Sequence, residues 1–347
     1  MTEQRVTGPQ FGVFSLLSVP NIRDEVALVQ GELEINVAAE AAGFDSVWIA
    51  EHSGSRYGLI ASPQVMAAAI AARTSRIRIG TGVSVLPLHH PLRLANDFAM
   101  IDVLSNGRLD YGVGRGYSAE EYASYGLDVQ ENRDRFTEAL EVIKRAWTQE
   151  TFSFEGKYYN IPSVQSVPNV IQRPHPPLYI AAGSESTVEW AAANLVRMLS
   201  SSGSPVNIRK KWDAYRAAGR AAGHAEADVE AALAQSWVVK HIHVAEDDET
   251  AVAEAGPPFI WYFNLLANRR MFDGPNNTPP LEWWQERGAC YFGSPDTVAA
   301  SLRAWHEASG VTNTLCWMNT GGIPTERVLR SVRLFGEHVI PRFRDAP

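Results

Sequence analysis

A histidine that could transfer protons follows an apolar segment in the sequence GFDSVWIAEHSGS, residues 43–55. The polar pair Glu51–His52 comes where the apolar run ends, so we expect it at the rim of a core. An imidazole titrates near neutral pH and therefore suits general acid–base catalysis. A hydrogen-bonded rim histidine without a catalytic role is the alternative interpretation. His52 is accordingly the candidate catalytic residue.

An arginine flanked by glycines lies in a second such segment, Gly112-Val113-Gly114-Arg115-Gly116. The spacing is GxGxG, which differs from the GxGxxG of dinucleotide-binding folds. A guanidinium beside exposed backbone amides suits a phosphate group. An arginine in a structural ion pair is an equally good interpretation of Arg115.

Two further segments could contact a ligand through their backbone. In residues 183–187, GSEST, a helix begins after an apolar run, and helix N-terminal amides with serine hydroxyls favour an anion. Ser184 could instead only cap that helix. The glycines of residues 80–82, GTG, allow a ligand to approach closely, although a simple bulge needs the same residues.

Metal chemistry has little support in the sequence. His241 and His243 alternate, which puts them on one side of a strand, but no third ligand has a matching spacing. We expect both to be polar residues lining the interior or the rim. The two cysteines, Cys290 and Cys316, form no CxxC pair of the structural-zinc type. We therefore expect no metal site.

The elements that must position these residues alternate between strand and helix patterns. Eight apolar strand-like segments occur, each followed by a helical pattern or by a helix with a longer insertion. Their residues are 11–19, 44–50, 76–85, 109–113, 178–182, 197–201, 237–245 and 312–318. This count and order predict a parallel sheet closed as a (β/α)8 TIM barrel rather than an open doubly wound sheet.

We predict one domain over residues 1–347, because no linker divides the chain. Two insertions interrupt the pattern, at residues 151–177 and 256–288. The second is rich in proline and glycine and contains Trp283–Trp284. An aromatic loop at the barrel mouth could be a lid that excludes water, or it could pack against another subunit. Active sites of such barrels lie at the C-terminal ends of the strands, where His52 and Arg115 fall.

Composition excludes several classes of partner. The chain has 347 residues and a net charge of −8, which argues against a nucleic-acid binder and against a polybasic membrane anchor. No apolar stretch reaches the ~18 residues of a membrane helix, and the N-terminus does not resemble a signal peptide. Two cysteines suit a reducing compartment. We expect a cytoplasmic protein that acts on a small molecule.

Several motifs together resemble one family, the bacterial-luciferase-like, flavin-dependent monooxygenases. They occur in the family's order and cover most of the chain. The matching segments are GFDSVWIAEHS (43–53), TSRIRIGTGVSVLPLHHPLRLANDFAMIDVLSNGRLDYGVGRGY (74–117), LYIAAGSESTVEWAA (178–192) and GSPDTVAASLRAWHEASGV (293–311).

The resemblance assigns roles to particular residues. It implies that His52 is the catalytic histidine, and that the peptide between Gly82 and Val83 is a non-prolyl cis bond under the flavin ring. It also implies a phosphate-binding end of the flavin site. The residues there would be Arg115, which clamps the phosphate, Ser184 and Thr187, which complete the site, and Ser200, which lies near the same end.

Two departures from the family pattern limit what carries over. The luciferase α subunit has a reactive cysteine just before the phosphate-binding arginine, where this chain has Gly114. Many relatives have a second histidine after the first, where this chain has Ser53. The flavin site is unaffected, but both departures weaken an expectation of light emission or of a long-chain aldehyde substrate.

The function implied is a monooxygenase that uses reduced FMN and O2. A separate NAD(P)H:flavin reductase would supply the reduced flavin, because no second nucleotide-binding domain is evident. Oxygen would react at the flavin C4a carbon, and the resulting peroxide must be shielded from water. His52 would act as acid or base on a substrate that carries a carbonyl group. We expect a homodimer.

Two alternatives stay open. The first is an F420-dependent oxidoreductase that transfers hydride on the same barrel, although Glu51 before His52 favours the luciferase-like branch. The second is a flavin-binding subunit without catalytic activity, against which the joint presence of His52, Arg115 and Ser184 argues.

Overall fold

The computed structural model describes residues 8–22, 24–268 and 278–344. Its strands are β1 (Phe11–Ser15), β2 (Ser46–Ile49), β3 (Arg78–Thr81), β4 (Ser84–Val85), β5 (Leu109–Gly114), β6 (Phe152–Glu155), β7 (Asn160–Val164), β8 (Leu178–Ala181), β9 (Arg197–Ser200), β10 (Trp237–Val244), β11 (Cys290–Gly293) and β12 (Asn313–Trp317). Its α-helices are α1 (Glu25–Ala41), α2 (Pro63–Ala71), α3 (Pro91–Leu104), α4 (Ala119–Ser124), α5 (Asn132–Thr148), α6 (Glu185–Ala193), α7 (Pro205–Ala221), α8 (Glu226–Ala234), α9 (Asp248–Asn268), α10 (Leu281–Glu286), α11 (Pro295–Ser309), α12 (Thr325–Leu334) and α13 (Pro341–Arg344).

Eight parallel strands close into a barrel, in the order β1, β2, β3, β5, β8, β9, β10 and β12. Pairing of β12 with β1 and of β9 with β10 completes the ring. The predicted (β/α)8 barrel is confirmed, and each predicted apolar segment contains one barrel strand. Beyond these eight strands, β6 and β7 form an antiparallel hairpin within the predicted insertion 151–177. That the chain is a single domain stays a prediction.

The strand ends differ from the sequence-based bounds where tertiary contacts intervene. The first strand was expected to reach Val19, but β1 ends at Ser15. Leu17 adopts a positive φ of 55°, which interrupts the extended backbone. The amide of Val19 then bonds to the carbonyl of Arg56 at 3.1 Å and not to a neighbouring strand. The strand therefore bends into the loops at the mouth.

The barrel interior is filled with large side chains from alternating strand positions. Trp48, Tyr179, Leu199, Trp237 and Leu315 form a buried cluster separate from the outer core. The Trp48 and Tyr179 rings meet edge to face, with centroids 4.8 Å apart. The barrel interior at these positions is therefore a packed core and not a pore.

Close contact between β3 and β5 explains part of the glycine pattern. A Cβ on Gly112 would lie 1.9 Å from the carbonyl oxygen of Thr81, so a larger residue cannot occupy position 112. The Thr81 hydroxyl donates to the Gly112 carbonyl at 2.6 Å and accepts from its amide at 3.0 Å. Gly112 thus serves strand packing, and the ligand-binding interpretation of the segment depends on its later residues.

The expectation of a loop over residues 256–288 is wrong for residues 256–268 and 281–286, which are helical. Helix α9 continues through Pro257 and Pro258, and residues 281–286 form α10; residues 269–277 lie outside the described chain. Phe259 and Phe263 on α9 are buried against the mouth. Burial of these rings outweighs the helix-breaking tendency of proline. The lid role of this segment stays a prediction.

Two further parallel strands lie outside the barrel ring, β4 beside β5 and β11 beside β10. No sequence pattern predicts β11, because its four residues, CYFG, lie between two turn regions. None of the helices in the described ranges is both long enough and apolar enough to cross a membrane.

The buried Lys240 holds β10 against the segment that leads into β11. Its Nζ donates to the carbonyls of Gly203 at 2.8 Å and Gly288 at 2.6 Å, and lies 4.3 Å from the centre of the Trp305 ring. Within the described chain no carboxylate is within salt-bridge distance of it. Burial lowers the pKa of Lys240 to about 7.

Replacing this lysine should change how stability depends on pH. The pKa of Lys240 is lower in the folded than in the unfolded protein, so the folded state binds fewer protons between about pH 7 and 10. Stability of the wild type should therefore rise across this window relative to Lys240→Met, by up to about 1.4 kcal/mol per pH unit. Urea unfolding of both proteins at pH 7, 8 and 9 measures the difference. Parallel pH profiles of the two proteins would contradict the lowered pKa of Lys240.

Candidate active site

The predicted site residues follow different strands but lie at one end of the barrel. His52 follows β2, Arg115 follows β5, Ser184 follows β8 and Ser200 ends β9. Because the strands are parallel, their C-terminal ends form a single mouth. The described contacts divide this mouth into a region around His52 and a region around Arg115.

His52 is paired with a carboxylate that the sequence analysis did not single out. Its Nδ1 lies 2.9 Å from Oε1 of Glu121 on α4, and the backbone amide of Ser53 donates to the same oxygen at 3.1 Å. The two side chains are only 12% and 11% exposed. An ionised carboxylate can only accept, so it favours the tautomer with the proton on Nδ1. This leaves Nε2 as the nitrogen of His52 that can exchange a proton with a ligand.

Three tyrosines connect the loops around His52. The hydroxyls of Tyr57 and Tyr117 are 2.7 Å apart, and the hydroxyl of Tyr262 on α9 donates to that of Tyr57 at 3.5 Å. The Tyr57 ring meets the His52 ring edge to face, with centroids 4.5 Å apart. These contacts tie α9 to the loops after β2 and β5 and wall one side of the imidazole.

The neighbouring Glu51 supports the backbone at the end of β3. It is 5% exposed, accepts the amide of Val85 at 2.7 Å, and lies 2.5 Å from Nε2 of His89. These contacts hold β4 beside the peptide bond between Gly82 and Val83, which is cis, as the resemblance implies. That a flavin ring lies on this peptide stays a prediction.

Gly114 lies too close to Val83 for a side chain to fit without a shift. A Cβ on Gly114 would lie 2.5 Å from Cγ2 of Val83. On Gly82, a Cβ would lie 3.1 Å from the ring of Phe14. Val83 therefore occupies space that a side chain at position 114 would need. Val83 and the glycine at position 114 are therefore sterically compatible.

The other region is a cluster of hydroxyls at the N-terminus of α6. The Ser184 hydroxyl lies 2.9 Å from that of Thr187 and 3.2 Å from that of Ser186. It makes no cap bond to the helix backbone, so capping alone does not explain it. Arg115 Nη2 donates to the Thr187 hydroxyl at 3.2 Å. The structure thus brings together Arg115, Ser184 and Thr187.

A second arginine, missed in the sequence analysis, reaches the same cluster. Arg133, in the first turn of α5, donates from Nη2 to the Ser186 hydroxyl at 3.3 Å. Neither Arg115 nor Arg133 has a carboxylate within salt-bridge distance in the described residues. No local pattern distinguishes Arg133 from other helix-surface arginines, so its position could come only from tertiary structure.

This donor set fits a phosphate group. In the described chain the backbone amides of Glu185 and Ser186 at the start of α6 make no hydrogen bond, and the helix dipole favours negative charge there. Two guanidinium groups and three hydroxyls surround that helix end. Ser200, the fourth residue predicted there, is 1% exposed and instead accepts from Lys211 Nζ at 2.7 Å. Among the described hydrogen bonds, none links Ser200 directly to Arg115.

His241 and His243 both contact α9. His241 hydrogen-bonds through Nδ1 to the hydroxyl of Thr320 at 2.7 Å and stacks on Trp317 at 4.6 Å, while His243 Nε2 lies 2.8 Å from Glu254. Burial lowers the pKa of His241 to about 3, so its imidazole is uncharged at neutral pH and lies among the aromatic rings of α9 and β12. In the described ranges, no three His, Cys, Asp or Glu side chains are grouped to hold a metal ion.

A family model described as luciferase-like monooxygenase matches residues 10–312. The chain is 25% identical to the alkanal monooxygenase alpha chain of the Kryptophanaron alfredi symbiont, over 97% of this chain and 99% of that protein. It is 26% identical to the oxygenase component of the flavin-dependent trigonelline monooxygenase of Acinetobacter baylyi, over 90% of this chain and 89% of that protein. Among solved structures, the monooxygenase RslO1 from Streptomyces bottropensis superposes with a TM-score of 0.85 at 27% identity, covering 96% of this chain and 99% of that one.

The pairing of His52 with Glu121 predicts a single imidazole tautomer. In the wild type, 15N NMR of labelled histidines should show His52 with its proton on Nδ1. Glu121→Gln should remove this preference, because an amide can donate as well as accept. A His52→Asn sample assigns the signal among the nine histidines. A wild-type spectrum with the proton on Nε2 would contradict the geometry.

Proposed function

The chain belongs to the luciferase-like monooxygenase family, and we propose that it is an FMN-dependent monooxygenase that oxidises a small carbonyl-containing substrate with O2. The observation that carries this proposal is the juxtaposition at one mouth of a phosphate-type cradle and a histidine–carboxylate pair. The cradle consists of the α6 N-terminus with Arg115 and Arg133. The pair is His52 with Glu121.

Each part of FMN has residues that suit it. Arg115, Arg133, Ser184 and Thr187 would hold the phosphate, with Ser200 close by. The segment of Gly82 and Val83 would support the ring system. When bound and reduced, FMN supplies the electrons that activate O2.

The protein's own contribution is proton transfer and exclusion of water. His52 would give or take a proton at Nε2, while Glu121 holds Nδ1 and so orients the ring. The tyrosine contacts and the aromatic side chains of α9 limit the access of water to this imidazole. A dry site protects reactive oxygen species from unproductive decay. The neutral imidazole of His241 and the aromatic rings that surround it suit an organic substrate without charge.

The relatives support a reductase partner. One of them is named as the oxygenase component of a flavin-dependent monooxygenase. We propose that this chain likewise receives reduced FMN from a separate NAD(P)H:flavin reductase. Hydride transfer with F420 on the same barrel is the alternative, and it needs no oxygen chemistry. The His52–Glu121 pair argues against a subunit without catalytic activity.

The test is anaerobic titration with reduced FMN and, separately, reduced F420, followed by mixing with oxygenated buffer and stopped-flow absorbance. We expect tight binding of reduced FMN. We also expect the bound flavin to be reoxidised more slowly than free flavin, and in more than one kinetic phase. Preference for F420 without any reaction with oxygen would replace it with the hydride-transfer alternative.

Loss of the proton-transfer group should separate binding from turnover. His52→Ala should lower turnover by about 100-fold or more, because general acid–base groups contribute about 10²–10⁴-fold. Binding of reduced FMN should stay within about 2-fold, since the phosphate cradle is intact. The assay uses a panel of aldehydes and ketones. His338→Ala, at a half-exposed surface histidine, is the control. Equal turnover of the two variants would remove His52 from the mechanism.

We also propose a homodimer, supported by an apolar surface on α2 and α3. Four large apolar side chains there are exposed, which is unusual for a surface that faces water. They are Val65 (67%), Met100 (45%), Val103 (42%) and Leu104 (55%). Both helices pack beside each other on the outside of the barrel.

The dimer has a direct test by light scattering. The wild type should have twice the chain mass of 38.2 kDa. Leu104→Lys should shift the mass towards the monomer, because a charge in an apolar interface is costly. Val206→Lys, at an equally exposed valine on α7, is the matched control. A monomeric wild type at working concentration would end this proposal.

A further inference from the structure

A lysine that the sequence analysis did not single out lies between the ends of β8 and β9. Lys211, on α7, donates from Nζ to the carbonyl of Ala182 at 2.7 Å and to the hydroxyl of Ser200 at 2.7 Å. Ala182 is two residues before Ser184, and its own amide bonds to the carbonyl of Leu199. The ammonium group therefore contacts the segment that leads into α6.

The surroundings of Lys211 leave its charge uncompensated. Both acceptors are uncharged, and no carboxylate in the described chain lies within salt-bridge distance. Two of the three N–H donors of the ammonium group have partners there, so one remains for a ligand. Burial lowers the pKa of Lys211, which reflects the cost of keeping a cation at this place without an anion.

The contrast with other basic residues is informative. Arg216 on α7 forms an ion pair with Glu230, and Arg330 on α12 forms one with Glu254. Arg115, Arg133 and Lys211 lack such pairs and all contact the α6 N-terminus or the segment just before it. The protein carries a net charge of −8 and yet concentrates three unpaired cations here. Such an arrangement suits a ligand group with two negative charges.

We propose that Lys211 is a specificity-determining residue that adapts this site to a terminal phosphate dianion. Such a group is present in FMN. It is missing in riboflavin, and the phosphate of F420 is a diester with a single charge. The inference rests on the proposed function, because it concerns the phosphate end of the same flavin site. It adds a third cation, from α7, to Arg115, which the resemblance assigns, and Arg133, which the structure places at the same helix end.

A purely structural clamp between β8 and β9 is the competing explanation. Glutamine at position 211 keeps N–H donors for Ala182 and Ser200 but carries no charge. Arginine at position 211 keeps the charge and changes the shape. The two substitutions therefore separate the effect of charge from the effect of the clamp, and circular dichroism melting curves check that each variant is folded.

The experiment compares dissociation constants for photoreduced FMN and riboflavin under anaerobic conditions. Lys211→Gln should weaken FMN binding by about 10- to 100-fold, as expected for one hydrogen bond to a charged group. Riboflavin binding should stay within about 2-fold. Lys211→Arg should recover at least part of the loss for FMN. Lys210→Gln, at the exposed neighbouring lysine, is the control and should change neither.

Each other outcome has one meaning. Equal weakening of FMN and riboflavin in Lys211→Gln would show a clamp and overturn the proposal. An unchanged affinity for FMN would also overturn it. Tighter binding of F420 than of FMN by the wild type would refute the proposed function on which the inference rests. A wild type that binds none of these cofactors would also refute the proposed function, so the two failures are distinguishable.

Discussion

The closed ring of parallel strands is the constraint on which the site depends. In a parallel barrel all strand C-termini meet at one end, so groups far apart in sequence converge without any long-range signal in the chain. His52 and Glu121 are 69 residues apart, and Arg115 and Thr187 are 72 residues apart. Each pair joins the segments after two different strands. The barrel interior is filled with packed side chains, so ligand chemistry is expected at the mouth.

Charge is distributed unevenly over that mouth. At the α6 end, Arg115, Arg133 and Lys211 have no carboxylate partners in the described chain. The two arginines contact hydroxyls of the helix start, and Lys211 contacts a carbonyl and a hydroxyl. At the α9 end, burial keeps His241 neutral among aromatic rings. The His52–Glu121 pair is linked to α9 through the rings and hydroxyls of Tyr57 and Tyr262. A ligand with an anionic tail and a large uncharged ring system matches this distribution, as does a neutral organic substrate beside it.

Close packing explains two glycines of the segment 112–116, which the sequence suggested as part of a ligand site. Gly112 permits β5 to approach Thr81, and Gly114 leaves room for Val83. Only Arg115 from this segment reaches the hydroxyl cluster in the described contacts. The helix through Pro257 and Pro258 is a similar case, since burial of its aromatic face determines its conformation. In α9, the burial of aromatic side chains outweighs the low helix propensity of proline.

The sequence by itself determined the barrel, the order of its strands and the candidates at their ends. It could do so because apolar periodicity is local and because parallel strands place their ends together. Only the tertiary structure decided which side chains meet. Glu121, Arg133 and Lys211 lie on helices, where their sequence pattern is that of ordinary charged surface residues. Glu121 and Arg133 bond to residues 69 and 53 positions away in the chain. Lys211 bonds to Ala182 and Ser200, at the ends of β8 and β9. Such pairings depend on helix packing, which leaves no mark in local spacing.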